Sequence, residues 1–166
     1  MEAITHNLVA VIIQIFCFQY LLFPFNIIFT IVFAYLSHLF VDALSKMTYH
    51  TPDVHKDDKF WIVWHVIIYS ASVLSLVILI IPYWLGILFA NIIDIWDWFI
   101  LRPLKKRKVK SGADPNWGQK WYLHKHADWV SDNFFGWLPN WRYKYFGIIT
   151  ELVIIIFLSI MIVIIL

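Results

Sequence analysis

The sequence predicts an all-α polytopic membrane protein with about five transmembrane helices. Hydrophobic residues make up 61% of the chain and charged residues 14%, whereas soluble domains are about a quarter charged and about half apolar. The apolar residues fall in five runs of about 17–22 residues, and each run is long enough to cross a ~30 Å hydrocarbon core at 1.5 Å per residue. The runs lack the alternating polarity of strands, and the backbone in lipid must satisfy its own hydrogen bonds.

The five runs are arranged as two helical hairpins followed by a C-terminal span. Pro24 and Pro82 mark the two tight turns, because proline ends the helix that precedes it. The N-terminus lacks a basic segment and a small-residue cleavage site, so we expect the first run to stay in the mature protein. The runs cover residues 7–23, 25–44, 60–81, 83–101 and 148–166.

The chain divides into three regions by composition. Residues 1–103 form the predicted four-helix core, residues 104–146 are basic and rich in tryptophan, and residues 147–166 form the last span. Tryptophan favours the level of the lipid headgroups, so we predict an amphipathic interfacial helix over residues 116–135. The basic run before it is typical of a topology determinant that attracts anionic lipid. It carries no nucleic-acid-binding motif, and no nucleic-acid partner is expected.

The charges also predict the orientation of the chain. Every lysine and arginine lies in a loop on one side of the predicted zigzag, whereas the two tight turns on the other side carry no charge. The positive-inside rule makes the charged side cytoplasmic, together with the N-terminus.

Ionisable side chains lie near the same end of each of the first four runs. In an apolar span such groups are costly unless they are paired or bound to an ion, so they indicate function. Helical spacing places His38 and Asp42 on one face, and Asp94 and Asp97 on another. The six residues predicted to converge in one leaflet as metal ligands are His6, His38, Asp42, His65, Asp94 and Asp97.

This set of side chains predicts a site for one or two divalent ions, with Zn²⁺ as the first candidate. Imidazole nitrogens and carboxylate oxygens are ordinary Zn²⁺ ligands, and two neighbouring acids repel each other unless a cation or proton joins them. Cys17 is the only cysteine, so a thiolate cluster is excluded.

A metal in this place predicts hydrolysis near the lipid headgroups, of ester or phosphoester bonds. A bound metal lowers the pKa of water towards ~7, and either Asp97 or Asp42 is a candidate for the general base. Lys46, Lys56 and Arg102 are candidates for holding a phosphate. Accessory candidates for a ligand or catalytic role are His50, His55 and Asp58 in the loop before the third run, and His124 and Asp128, which repeat the His-x-x-x-Asp spacing.

Two segments resemble a known family. Residues 34–45, Ala-Tyr-Leu-Ser-His-Leu-Phe-Val-Asp-Ala-Leu-Ser, resemble the Gly-Tyr-Leu-Ser-His-x-x-x-Asp-x-Leu-Thr segment of the LexA-regulated, membrane-bound metal-dependent hydrolases. The Thr5-His6-Asn-Leu-Val segment is similar to the Thr-His-Ser-Leu-Leu helix start of that family. The resemblance implies metal-dependent hydrolase activity, with His6, His38 and Asp42 at the matching positions.

The resemblance covers mainly the first 45 residues. The Asp94-Ile-Trp-Asp97-Trp segment is distantly similar to the family's Asp-Ile-Asp-His element, but it comes late in this chain and ends in Trp98 instead of histidine. The arginine near the family's Thr-His start is also absent.

Three other functions fit the same composition. A transporter would use Asp94 and Asp97 to carry protons or cations, although the far side of the predicted bundle offers few polar residues beyond Gln14 and Gln19. A non-catalytic bundle would pack the histidines as structural residues. A membrane di-iron oxygenase is a more distant alternative, because its clustered histidine boxes are absent.

Overall fold

The computed structural model describes residues 2–49 and 57–166, and these residues form helices and connecting turns without any strand. Four helical segments are long and apolar enough to cross a membrane, as expected for an integral membrane protein. The count of five spans and the side of the termini stay predictions. The helices are α1 Ala3–Tyr20, α2 Phe25–Ala43, α3 Lys59–Asp94, α4 Arg102–Lys110, α5 His124–Phe134 and α6 Phe146–Ile165, with a π-helical turn at Ile95–Leu101 and 3₁₀ turns at Leu44–Met47 and Gln119–Trp121.

The helix α3 contains the second predicted hairpin. Its backbone leaves helical geometry at Tyr83, directly after Pro82. The side chain of Asn7 donates to Ser75 Oγ at 2.9 Å and accepts from Asn91 Nδ2 at 2.9 Å. Ser75 and Asn91 would be about 24 Å apart along a straight helix, so the chain folds back at the proline. We call residues 59–82 the first arm of α3 and residues 84–94 the second arm.

The helix α1 packs between these two arms. The helix α1 follows the first arm at a constant offset of 68 residues. Ile4 N donates to Ser72 Oγ at 3.2 Å, and Gln14 Nε2 donates to Pro82 O at 3.3 Å. Against the second arm the backbones almost touch: a Cβ atom on Gly86 would lie 2.7 Å from Ala10 O. Small residues allow such close approach where lipid gives helices no hydrophobic drive to associate. The buried core around this contact comprises Leu8, Ala10, Val11, Ala34, Ile87, Ala90 and Ile162.

The segment between the core and the last helix is less helical than predicted. Instead of one helix over residues 116–135, the chain has a left-handed Gly118, a 3₁₀ turn and then α5, which begins only at His124. The carboxylate of Asp97 accepts hydrogen bonds from the backbone N–H groups of Leu123 and His124. A helix begins where its first N–H groups find acceptors, so a residue of the core sets the start of α5. The basic helix α4 has no buried residue, as expected for a solvated run.

Candidate metal centre

Side chains from four helices meet around the carboxylate of Asp42, in the last turn of α2, and the imidazole of His124, at the start of α5. His6 Nε2, from the start of α1, lies 3.1 Å from Asp42 Oδ1. His38 Nε2 and His124 Nε2 lie 3.1 and 3.3 Å from Asp42 Oδ2. His124 Nε2 is also 3.1 Å from Oδ1 of Asp94, the last residue of α3. The predicted convergence of His6, His38, Asp42 and Asp94 is therefore present in the structure.

These donors form two overlapping groups with the composition of a metal site. One group is His6, His38 and Asp42, the other is His38, Asp94 and His124, and in each the ligand atoms lie within 4.8 Å of one another. The groups share His38, whose Nδ1 already contacts Ala90 O at 2.6 Å. Since only Nε2 of that ring is free to bind an ion, the arrangement favours one shared ion over two separate ones.

The contacts behind His38 fix how its ring faces the centre. Its Nδ1–H donates to Ala90 O, and the ring stacks on His6 with centroids 4.2 Å apart and planes 19° apart. Metal-binding histidines commonly donate their other N–H to a carbonyl or carboxylate, which fixes the tautomer and the direction of the lone pair. His38 is fully buried, so its Nε2 points at the cluster without competition from solvent.

Asp97 holds His124 in the same way. Its Oδ2 is 2.6 Å from His124 Nδ1 and also accepts from the backbone N–H groups of Leu123 and His124, both at 2.9 Å. Asp97 is fully buried in the π-helical turn and belongs to neither ligand group. Such turns are frequent at functional sites. Instead of the metal ligand or general base that the sequence predicts, the structure shows a carboxylate that accepts hydrogen bonds from Leu123 and His124 at the start of α5.

The negative charge of the surrounding acids raises the pKa of His124. Burial lowers the pKa of this imidazole, but hydrogen bonds to Asp42, Asp94 and Asp97 outweigh it and raise the pKa to about 10. A proton on His124 therefore balances the surrounding carboxylates. A divalent cation would supply the same compensation, and its binding would release that proton.

His65 does not join the centre, which corrects the prediction that it is a metal ligand. Its Nδ1 donates to Trp61 O at 2.7 Å, and its ring stacks on Trp61 with centroids 4.0 Å apart. The hydrogen bonds between α1 and the first arm join residues separated by 68 positions, so His6 lies level with residue 74. His65 is nine residues earlier, about 14 Å further along the helix.

Replacing His65 with alanine should therefore leave metal binding intact. We expect the affinity for Zn²⁺ to stay within about twofold of the wild type, as for independent distant sites. The loss of the stacked ring should instead lower thermal stability, because it opens a cavity among aromatic side chains. Competition with a chromogenic chelator measures the affinity, and a large loss of it in a folded variant would contradict the assignment.

The accessory candidates have different places in the structure. His124, predicted only as an accessory, contacts three carboxylates and is central. Asp128 lies one turn further along α5 and lines a polar pocket beside the cluster. Asp58 caps the start of α3 by accepting from Phe60 N at 2.9 Å. His50 and His55 lie outside the described residues.

A positively charged side chain that the sequence analysis does not predict, that of Arg142, lines the polar pocket. The pocket has a volume of about 210 Å³ and is lined by Asp42, Ser45, Asp94, Trp98, His124, Ala127, Asp128 and Arg142. Arg142 lies between α5 and α6, where no residue pattern marks it as part of a site. Of the predicted phosphate-holding residues, Arg102 instead packs on Trp98 and donates from Nε to Tyr122 OH at 2.9 Å. Lys46 does not line the pocket, and Lys56 lies outside the described residues.

Comparison with known proteins identifies no family for this chain. No protein-family model, curated protein or solved structure matches it. The resemblance of residues 34–45 to the LexA-regulated hydrolases therefore stays a prediction.

Proposed function

We propose that this protein is an integral-membrane, metal-dependent hydrolase that acts on ester or phosphoester bonds near the cytoplasmic lipid headgroups. The observation that carries the proposal is the convergence of His6, His38, Asp42, Asp94 and His124 from four helices. Buried imidazoles and carboxylates are costly in an apolar bundle unless something compensates them. Two of these imidazoles are also fixed from behind by hydrogen bonds, as metal ligands usually are.

The donor set favours Zn²⁺, since three imidazole nitrogens with carboxylate oxygens suit that ion. When bound, it would polarise the substrate and lower the pKa of a water molecule towards ~7. Asp42 and Asp94 would hold the ion together with the histidines. Asp97 keeps His124 in position and does not reach the substrate.

Asp128 is the carboxylate best placed to move a proton. It lines the polar pocket, is exposed, and belongs to neither ligand group. The two acids that the sequence favours as general base are otherwise engaged: Asp42 contacts three histidines, and Asp97 accepts hydrogen bonds from the start of α5. We therefore assign the proton transfer to Asp128, which takes a proton from the attacking water and returns it to the leaving oxygen.

A transport function has less support. Gln14, one of the few polar residues towards the other end of the bundle, donates to Pro82 O and accepts from Gly86 N at 2.8 Å. Its amide thus ties helices together and does not line a polar path.

Metal analysis and activity together test the proposed function. Protein purified without chelator should contain about one Zn²⁺ per chain, and should release phosphate or fatty acid from a phosphoester or ester probe. Chelation should abolish this activity and Zn²⁺ should restore it. Asp128→Asn should keep the metal and lose about 10²–10⁴-fold in kcat, the usual contribution of a general base. Purified protein without stoichiometric metal, or with hydrolysis insensitive to chelation, would refute the proposal.

A further inference from the structure

An apolar groove runs between the two arms of α3 and ends at the metal centre. It has a volume of about 480 Å³, within the range of ligand pockets. Its walls include Val73, Leu76 and Ile80 from the first arm and Leu88 from the second, while Asn7 of α1 lies at its floor. From Ile87 to Trp98, both of which line it, the groove extends about 17 Å along the helix axis.

The groove and the polar pocket share two residues. Asp94 and Trp98 line both of them, and Asp94 is a member of one ligand group. The two spaces are therefore neighbours, and a molecule with an apolar tail in one and a polar head in the other would have the junction of head and tail beside the centre. Asn7, Ser72 and Asn91 also line the groove, but the surface that it exposes is almost entirely apolar, which favours an apolar occupant.

The polar pocket indicates the chemistry of the head. Among the described residues that line it, three are acids, Asp42, Asp94 and Asp128, and one is a permanent cation, Arg142. The Nε atom of Arg142 is buried and has no hydrogen-bond partner among the described residues. A buried guanidinium nitrogen without an acceptor costs free energy, and guanidinium groups match the geometry of phosphate oxygens. An anionic head with several oxygens in the pocket would give this guanidinium a counter-charge.

We propose that the substrate is a phosphoester lipid, with one acyl chain in the groove and its phosphate between Arg142 and the metal centre. This inference rests on the proposed function. An acyl chain that leaves the bilayer for the groove exchanges one apolar medium for another, so it gains little hydrophobic free energy. The contribution of the groove is to position the lipid, because it sets the depth at which the phosphorus atom meets the attacking water.

The reaction is an ordinary hydrolysis. The oxygen of water forms a bond to phosphorus while the bond between phosphorus and the lipid oxygen breaks. One proton of the water passes through the carboxylate of Asp128 to the leaving lipid oxygen, and the other stays on the phosphate oxygen. The products are a lipid alcohol and the phosphate with any group it carried.

The test compares a lipid and a soluble phosphoester on the Zn²⁺-loaded full chain. Phosphatidic acid in detergent micelles supplies the lipid, p-nitrophenyl phosphate the soluble phosphoester, and diacylglycerol an uncharged ester. Leu76→Trp obstructs the groove, and Leu152→Trp on α6 is its matched control, because the two leucines are 41% and 43% exposed. Arg142→Gln removes the cation, and Lys144→Gln, two residues away and exposed, is its control. Metal content and gel-filtration profile report folding in every variant.

We expect Leu76→Trp to lower the ratio of lipid to soluble turnover at least about tenfold, because small misplacements of the reacting atoms are costly. Arg142→Gln should lower kcat/KM for both phosphoesters about 10–100-fold, the worth of a hydrogen bond to a charged group. Both controls should match the wild type. An unchanged ratio in folded Leu76→Trp, preference for the soluble phosphoester, or faster hydrolysis of diacylglycerol would overturn this inference while hydrolase activity stands. Metal-loaded protein that hydrolyses none of the probes would overturn the proposed function as well.

Discussion

Replacing His38 with alanine is expected to abolish metal binding and hydrolysis together. His38 is the one residue that the two ligand groups of the described residues share, so its removal takes a ligand from each of them. Loss of an outer hydrogen bond to a ligand already costs about 10–100-fold in metal affinity, and loss of the ligand itself should cost more than about 100-fold. Chelator competition measures the affinity, and phosphate or fatty-acid release measures the activity.

His65→Ala is the matched control for this variant, since it removes another buried histidine of the same bundle. His38→Gln is a second variant that keeps a polar side chain near Ala90 O and separates loss of the ligand from misfolding. If either His38 variant is folded and binds Zn²⁺ with wild-type affinity, the proposed centre is refuted.

The second large effect is expected at Asp97. Asp97→Asn keeps the size of the side chain but removes the charge that holds His124 and leaves only one oxygen for three donors. We expect Zn²⁺ affinity to fall about 10–100-fold, as when the carboxylate behind a metal-binding histidine is lost. The start of α5 should also become less protected against amide hydrogen exchange, because Leu123 and His124 lose their acceptor.

Asp132→Asn is the control, because it changes an exposed carboxylate on α5. The outcome distinguishes two roles of Asp97. A loss of affinity that accompanies the loss of activity supports a positioning residue. Full metal content with a loss of activity alone would contradict that role and return Asp97 to the general base that the sequence predicts.

The sequence predicts much of the core because lipid leaves few alternatives to apolar helices. The two hairpins follow from Pro24 and Pro82, and the convergence of His6, His38 and Asp42 follows from where the helices begin and end. Asp94 joins them because the second arm returns to the same end of the bundle.

What the sequence does not predict depends on docking between helices. His124 enters the centre because α5 packs against α2. The sequence of this aromatic segment contains no pattern that predicts such a contact. Asp97 faces α5 because the chain forms a π-helical turn there, which shifts the face that an ordinary helix would present. The prediction for His65 is wrong because nearness to the end of an apolar run does not determine the axial offset between neighbouring helices.

The double hydrogen bond of Asn7 has a consequence for how the protein responds to different membranes. One amide joins α1 to both arms of α3 at the floor of the groove. Sliding of α1 and the two arms past one another along the membrane normal would therefore break these hydrogen bonds. A thicker or thinner bilayer is accommodated by tilting of transmembrane helices, and here we expect the bundle to tilt as one body. The distance between the metal centre and the end of the groove should then remain constant from one membrane to another.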